Sequence, residues 1–199
     1  MRGGELQRFD ACQSNLIMTK QALRFPAPLL EKARGVSIFF LDVDGVMTDG
    51  GLYFTSEGEA VKKFNSLDGH GLKLLMRAGI VPVVITGRDS QALRRRIAEL
   101  SIENAHYGVD NKLLMAENCL QSLGMNWSHA AAMGDDWPDL PVLLRSAFAF
   151  APAQAHAELL SRVDHVCSVP AGGGAVREAC DLLLMAKGHY TPALDEVLS

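Results

Sequence analysis

The sequence predicts an α/β fold: a doubly wound (Rossmann-like), mainly parallel sheet with helices on both faces and a β-hairpin inserted after the first strand. Two observations carry most of this. Short continuous apolar runs, VSIFFLD (36–42), VPVVITG (81–87) and AFAFA (147–151), have the composition of strands buried on both faces. Segments with apolar residues at helical spacing lie between such runs. A third observation is positional. Residues able to do chemistry follow directly on the strand ends, where ligands collect in open α/β sheets.

Taken in order, PAPLLEKARG (26–35) reads as a short helix stopped by Gly35, and VSIFFLD as the first strand. GLYFTSEGEAVKKFN (51–65) holds two extended runs around Ser-Glu-Gly-Glu, a hairpin pattern. In DGHGLKLLMRAG (68–79), Leu72, Leu75 and Met76 share one helix face, and Gly79 suits the C-terminus. After the strand at 81–87, Ser90 is an N-cap for a helix with Leu93, Ile97 and Leu100 inward. AHYG (105–108) is a short strand. NKLLMAENCLQSLG (111–124) is a helix with Leu113, Ala116, Leu120 and Leu123 inward. Strands follow at SHAAAMGDD (128–136), AFAFA and DHVCSV (164–169), and GAVREACDLLLMAKG (174–188) closes the domain as a helix. The expected division is a loosely ordered leader (1–26), one domain (27–188) that includes the hairpin (50–65), and a tail (189–199).

Composition excludes several classes. The chain has 199 residues, 48% apolar and 21% charged, with a net charge of −4, which describes a globular domain with a real core. No basic stripe suits nucleic acid; the run Arg94-Arg95-Arg96 reads as a solvated helix face. No stretch approaches a membrane span, and residues 1–26 lack the apolar core of a secretory signal. Met18 is an alternative start. Cys12, Cys119, Cys167 and Cys180 form no C-x-x-C pair, which points to a reducing, cytoplasmic setting without a zinc site.

The stretch FFLDVDGVMTDGG (39–51) raises the functional question. Asp42 and Asp44 repel each other, and the apolar lead-in makes their ionisation harder still. Three further strand ends carry polar groups: Thr86, Gly87 and Arg88; Lys112 at a helix start; and Asp135, Asp136 and Asp139. Singly, each has a structural reading as a turn former, cap or surface residue. Together they make a hard, oxygen-rich site suited to Mg²⁺, and such a cation relieves the carboxylate repulsion. Asp42 can then attack phosphorus, with Asp44 as acid and base and Thr86 and Lys112 on the phosphoryl oxygens.

DVDG (42–45), ITGR (85–88), Lys112 and GDDWPD (134–139) resemble the motifs of the haloacid dehalogenase superfamily of phosphotransferases over residues 36–185. The resemblance implies Asp42 as nucleophile and Asp44 as acid/base, with Thr86, Gly87 and Lys112 binding phosphate. It implies Asp42, Asp135 and the Asp44 backbone carbonyl as magnesium ligands, with Asp136 and Asp139 less direct. DGVMTDGGLYFTSEGEAVKKFNSLDGHGLKLL and GGGAVREACDLLL are similar to the 3-deoxy-D-manno-octulosonate 8-phosphate phosphatase group. That implies no cap domain, a role in lipopolysaccharide sugar synthesis, and a homotetramer assembled through the hairpin. The apolar hairpin residues Leu52, Tyr53, Phe54, Val61 and Phe64 agree with an oligomer. Two positions depart: Leu67 and Gly173 stand where many relatives carry a cation. Arg88, Arg177 and His70 remain as candidate substrate contacts, the arginines for a substrate carboxylate. A phosphatase for a nine-carbon acid of the sialic-acid type is the alternative; a phospho-receiver domain and a catalytically silent binding homologue are more remote.

Overall fold

The structure, a computed structural model, describes residues 25–199. Its frame is a six-stranded parallel sheet in the order β5-β4-β1-β6-β7-β8, with a separate two-stranded hairpin, β2-β3. The strands are β1 (Ile38–Leu41), β2 (Tyr53–Thr55), β3 (Gly58–Val61), β4 (Val81–Ile85), β5 (Asn104–His106), β6 (Ala130–Met133), β7 (Phe148–Ala151) and β8 (His165–Val166). The helices are α1 (Ala27–Ala33), α2 (Ser66–Arg77), α3 (Gln91–Leu100), α4 (Lys112–Ser122), α5 (Leu140–Leu143), α6 (Ala157–Leu160), α7 (Ala175–Ala186) and α8 (Tyr190–Leu198). Among the described residues there is no cap domain; the hairpin alone occupies the chain between β1 and α2.

The alternation of side chains along β1 builds two cores. Phe39 and Leu41 point to one face with Leu72, Leu75, Leu93, Ile97 and the apolar residues of α7. Ile38 and Phe40 point to the other with Ala116, Leu120, Val142 and Leu159. Helices therefore cover both faces, and this is why all four residues of β1 are buried. β1 pairs with β4 on one side and β6 on the other. The sheet order reverses between β1 and β6, so their carboxyl ends form the crevice at a topological switch point.

Capping agrees with the sequence. Ser90 accepts the Leu93 N–H, and Asn111 accepts the Leu114 N–H. The elements that differ are short. β6 covers only 130–133 of the expected 128–136, and 3₁₀ turns flank it at Trp127–His129 and Trp137–Asp139. The four-residue helices α5 and α6 offer too few turns for a periodicity to register. The tail forms α8, which packs on α7 and ion-pairs through Glu196 to Arg77 at the end of α2. α2 runs into the amino end of β4, so the tail lies at the end of the sheet opposite the strand carboxyl ends. Of the expected leader only Phe25 and Pro26 fall among the described residues; Phe25 packs edge-on against His165, with ring centres 5.5 Å apart.

Two expectations are corrected by packing. Arg96 is not on a solvated face: its guanidinium donates to the Asn65 carbonyl at 3.1 Å and lies over the Phe64 ring, tying α3 to the start of α2. Phe64 in turn packs on the core rather than standing exposed. The remaining apolar residues of the hairpin stand in solvent, Phe54 at 62% exposure.

Candidate active site

Asp42 is the first residue beyond β1, and its N–H still donates to the Met133 carbonyl of β6. The chain then turns sharply, with the N–H groups of Val46, Met47 and Thr48 all directed at the Val43 carbonyl. Gly45 makes the turn possible. Its φ is +85°, and a Cβ there would stand 2.0 Å from the Asp135 carboxylate. The two strand ends thus approach each other through a bare backbone, which brings Asp135 beside Asp42.

Asp42, Asp135 and Asp139 each offer a carboxylate oxygen, and these oxygens lie within 4.8 Å of one another. Burial raises the Asp42 pKa to about 6, and the nearby Asp139 charge adds to this while Lys112 opposes it. Burial, followed by repulsion from Asp42 and Asp139, raises Asp135 to about 7. Lys112 Nζ is 2.6 Å from Asp42 and 2.6 Å from Asp139. Burial disfavours its charge, but the two carboxylates outweigh this and hold the ammonium above its usual pKa. One lysine thus faces three carboxylates, so the site carries an excess negative charge that a hard cation with oxygen ligands would neutralise.

Asp139 braces this arrangement. Its second oxygen accepts the N–H groups of Asp135 and Asp136, fixing the loop after β6. Asp136 itself is exposed. Thr86 is buried at the end of β4, and its hydroxyl oxygen accepts the Arg88 N–H at 3.3 Å. Gly87 is exposed beside it. A cavity of about 20 Å³, room for about one water, lies between Asp42, Lys112 and Asp139 and the apolar side chains beneath them.

No family model matches the chain. It is 39% identical over 167 residues to the 3-deoxy-D-manno-octulosonate 8-phosphate phosphatase of Escherichia coli K12, covering 84% of this chain and 89% of that one. The Haemophilus influenzae phosphatase of the same name is 40% identical over 158 residues, covering 79% of this chain and 88% of the relative. The chain belongs to the 3-deoxy-D-manno-octulosonate 8-phosphate phosphatase family of the haloacid dehalogenase superfamily. Solved structures agree. The Moraxella catarrhalis enzyme, in complex with magnesium, phosphate and the KDO sugar, superposes with a TM-score of 0.83 at 34% identity, covering 85% of this chain and 98% of that one. The cobalt-bound Haemophilus influenzae enzyme gives a TM-score of 0.78 at 40% identity, covering 80% and 94%.

Within this family framework the structure adds a group that the sequence reading passed over. Lys62, at the end of the hairpin, is buried with its side chain 1% exposed. It hydrogen-bonds to Asp44 Oδ1 and forms an ion pair of 2.7 Å with Glu59. Arg88 completes the cluster, 3.3 Å from Glu59 and 3.8 Å from Asp44 Oδ2. Burial works against the Glu59 charge, yet Lys62 and Arg88 together bring its pKa below the usual value. The available signal was the alternation in GEAVKKF, which puts one of two adjacent lysines on the covered side.

Arg88 therefore stands beside Asp44, with its side chain 40% exposed. Arg177 and His70 do not join it. Arg177 is committed to Asp181 at 2.8 Å, one turn along α7, and its stem packs against Gly71. His70 is exposed on α2, where it faces the same Asp181. Among the described residues no hydrogen bond or ion pair links either to the carboxylates at the strand ends; both lie on the α2–α7 pair, beside Asp181. Leu67 is 55% exposed on the first turn of α2. Gly173 is exposed, and a Cβ there would meet the Pro170 carbonyl at 2.9 Å.

A second group able to hold a metal, His165, Cys167 and Glu178, also gathers within 4.8 Å. Its hydrogen bonds are closed internally. Glu178 takes up His165 and the Ser168 N–H and hydroxyl, and the Cys167 thiol donates to the Ala175 carbonyl. Burial also pushes the Cys167 thiol well above its usual pKa, so it reads as a structural network.

Proposed function

We propose that this chain is a Mg²⁺-dependent phosphomonoesterase that releases phosphate from 3-deoxy-D-manno-octulosonate 8-phosphate, an eight-carbon keto sugar acid, in lipopolysaccharide sugar synthesis. The observation that carries the reading is the joint placement of Asp42, Lys112, Asp135 and Asp139 at the β1–β6 switch point, with Asp44 held apart by its own partners. The family relation supports the substrate, and the carboxylate-rich site suits the cation. Asp42 and Asp135 would hold Mg²⁺, with the Asp44 backbone carbonyl as a further ligand and Asp139 and Asp136 behind them. When bound, the ion would keep Asp42 ionised and neutralise phosphoryl charge.

Asp42 attacks phosphorus while the bond from phosphorus to the sugar oxygen breaks. Asp44 gives its proton to that departing oxygen, which leaves as an alcohol. The aspartyl-phosphate then meets a water whose proton returns to Asp44. The oxygen of that water bonds to phosphorus as the acyl-phosphate bond breaks, releasing inorganic phosphate. Lys112 and the Thr86 hydroxyl hold equatorial phosphoryl oxygens, and Gly87 leaves its N–H accessible to them. Arg88, exposed beside Asp44, is the cation available to the sugar's carboxylate. The protein works in the cytoplasm as a homotetramer joined through its hairpins, a reading supported by the exposed apolar residues Leu52, Tyr53, Phe54 and Val61.

The test is phosphate release from a panel of sugar-acid phosphates, with Mg²⁺ and with chelator, for wild type and Asp42→Asn. The expected result is Mg²⁺-dependent turnover of the eight-carbon acid that the substitution abolishes. Preference for a nine-carbon acid would replace the substrate while keeping the chemistry; turnover surviving in Asp42→Asn would remove the nucleophile.

A further inference from the structure

Asp44 sits between two cations of different character. Lys62 comes from the hairpin, and its side chain is 1% exposed; Arg88 comes from the loop after β4 and is 40% exposed. Lys62 donates to Asp44 Oδ1 only. Asp44 Oδ2 has no hydrogen-bond partner, although it is withdrawn from solvent; the Arg88 guanidinium stands 3.8 Å away, beyond bonding distance. One carboxylate oxygen is clamped and the other carries no hydrogen bond.

A buried lysine is costly unless it is paired. Lys62 has two partners, Asp44 and Glu59, and Glu59 also binds Arg88. Glu59 lies in β3 and Lys62 directly follows that strand, while the neighbouring Lys63 side chain is 62% exposed. A purely structural lysine would not need to end on a catalytic carboxylate from a different part of the chain. The length of the Lys62 stem and its burial allow little freedom, so the Asp44 carboxylate plane is set by the hairpin.

We propose that Lys62 is a positioning residue for the reaction: by holding Asp44 Oδ1 it aims Oδ2 at the departing oxygen and then at the attacking water, with Glu59 fixing Lys62 in turn. The proposal rests on the reading of Asp44 as acid/base. It gives the hairpin a part in catalysis besides the assembly of subunits. It also separates the two neighbours of Asp44, with Lys62 buried and fixed in place and Arg88 40% exposed, on the side where a substrate would enter.

The experiment compares two phosphate esters in wild type, Lys62→Met, Lys62→Arg and Asp44→Asn, all with Mg²⁺. One ester is the alkyl sugar phosphate, whose leaving oxygen needs a proton. The other is p-nitrophenyl phosphate, whose leaving group departs as an anion without one. Lys62→Met is expected to lower kcat on the sugar phosphate by about 100-fold, within the range of general acid–base effects, with KM nearly unchanged. On the aryl ester the first turnover keeps its rate, and later turnovers slow because water activation still needs Asp44. A burst of p-nitrophenolate therefore appears. Lys62→Arg restores part of the sugar-phosphate rate, and it serves as the second variant should Lys62→Met fold poorly. Equal losses in the aryl-ester burst and the sugar-phosphate rate, or a change in KM alone, overturn the proposal. If Asp44→Asn itself shows no dependence on the leaving group, the acid/base reading fails first. If Asp44→Asn shows it and Lys62→Met does not, only the positioning role falls.

Discussion

The Lys112 ammonium is hydrogen-bonded to Asp42 at 2.6 Å from the first residue of α4. A cation at a helix N-terminus opposes the helix dipole, at a cost of about 0.3–1 kcal/mol. What offsets this cost is the pair of carboxylates it meets, Asp42 and Asp139. Lys112→Met is expected to lower kcat by about 100- to 1,000-fold, the usual loss for one donor to a charged reacting group. It also removes the one cation that holds down the Asp42 pKa, already at about 6. The acid limb of the pH–rate profile should therefore move to higher pH. A variant with reduced kcat and an unmoved acid limb would deny the link between the two residues.

Gly45 couples the proposed metal site to the β1 turn. An alanine there must adopt φ near +85° and places its Cβ against Asp135 Oδ2. Gly45→Ala should displace Asp135 and weaken Mg²⁺ binding by about tenfold or more, the scale seen when groups that orient metal ligands are lost. Titration calorimetry measures this directly. Circular dichroism should show the fold retained, because the rest of the turn is held by bonds to the Val43 carbonyl. Unchanged affinity would mean that the loop after β6 gives way without cost.

How much of this was legible in the sequence depends on where each signal lives. The sheet was readable because a strand buried on both faces must be apolar throughout, as IFFL is. The carboxylates were readable because they end such runs abruptly. Lys62 was legible only in part: the alternation in GEAVKKF turns one of two adjacent lysines inward, but which one, and onto what, depends on partners from distant segments. The partner of Arg177, by contrast, was legible: Asp181 lies four residues on, a helical i,i+4 pair. Arg96 was assigned to solvent by the company of two other arginines, yet the helix turns it onto α2.

Asp68 supplies a pH-dependent stability that involves no metal. It is buried at the start of α2, accepts the Arg177 N–H, and leaves its second oxygen unpaired. Burial raises its pKa from 3.8 to about 6. The folded state then binds protons more tightly than the unfolded chain between these values. Stability therefore falls as pH rises through this window and stays level above it. Asp68→Asn keeps the acceptor and removes the charge. It should stabilise the protein at pH 7.5 by about 1–3 kcal/mol and flatten the slope between pH 4 and 6. Urea denaturation at several pH values in the presence of chelator measures both; a variant less stable than wild type at pH 7.5 would contradict this account.

Proton and metal compete for Asp42 and Asp135, whose pKa values stand at about 6 and about 7. Mg²⁺ affinity should therefore rise with pH up to about 7 and then level off. The melting temperature gained on adding Mg²⁺ should follow the same curve, being small at pH 5 and full by pH 8. Asp135→Asn should abolish most of that gain. A gain independent of pH would place the ion elsewhere.

The outer side of the hairpin tests assembly. Phe54 is 62% exposed and Val61 54%, beside Leu52 and Tyr53, while the inner side ends at Lys62 and Asp44. An apolar patch of this kind is expected to be covered by other copies of the chain. Phe54→Asp places a charge in that contact, and light scattering should show a tetramer for wild type, as proposed, and smaller species for the variant. Because the same hairpin carries Lys62 to Asp44, kcat should fall together with the mass, and raising the protein concentration should restore both. Dissociation with full activity would show that the hairpin holds Asp44 without help from neighbouring subunits; a wild type that is already monomeric would remove the assembly from the proposed function.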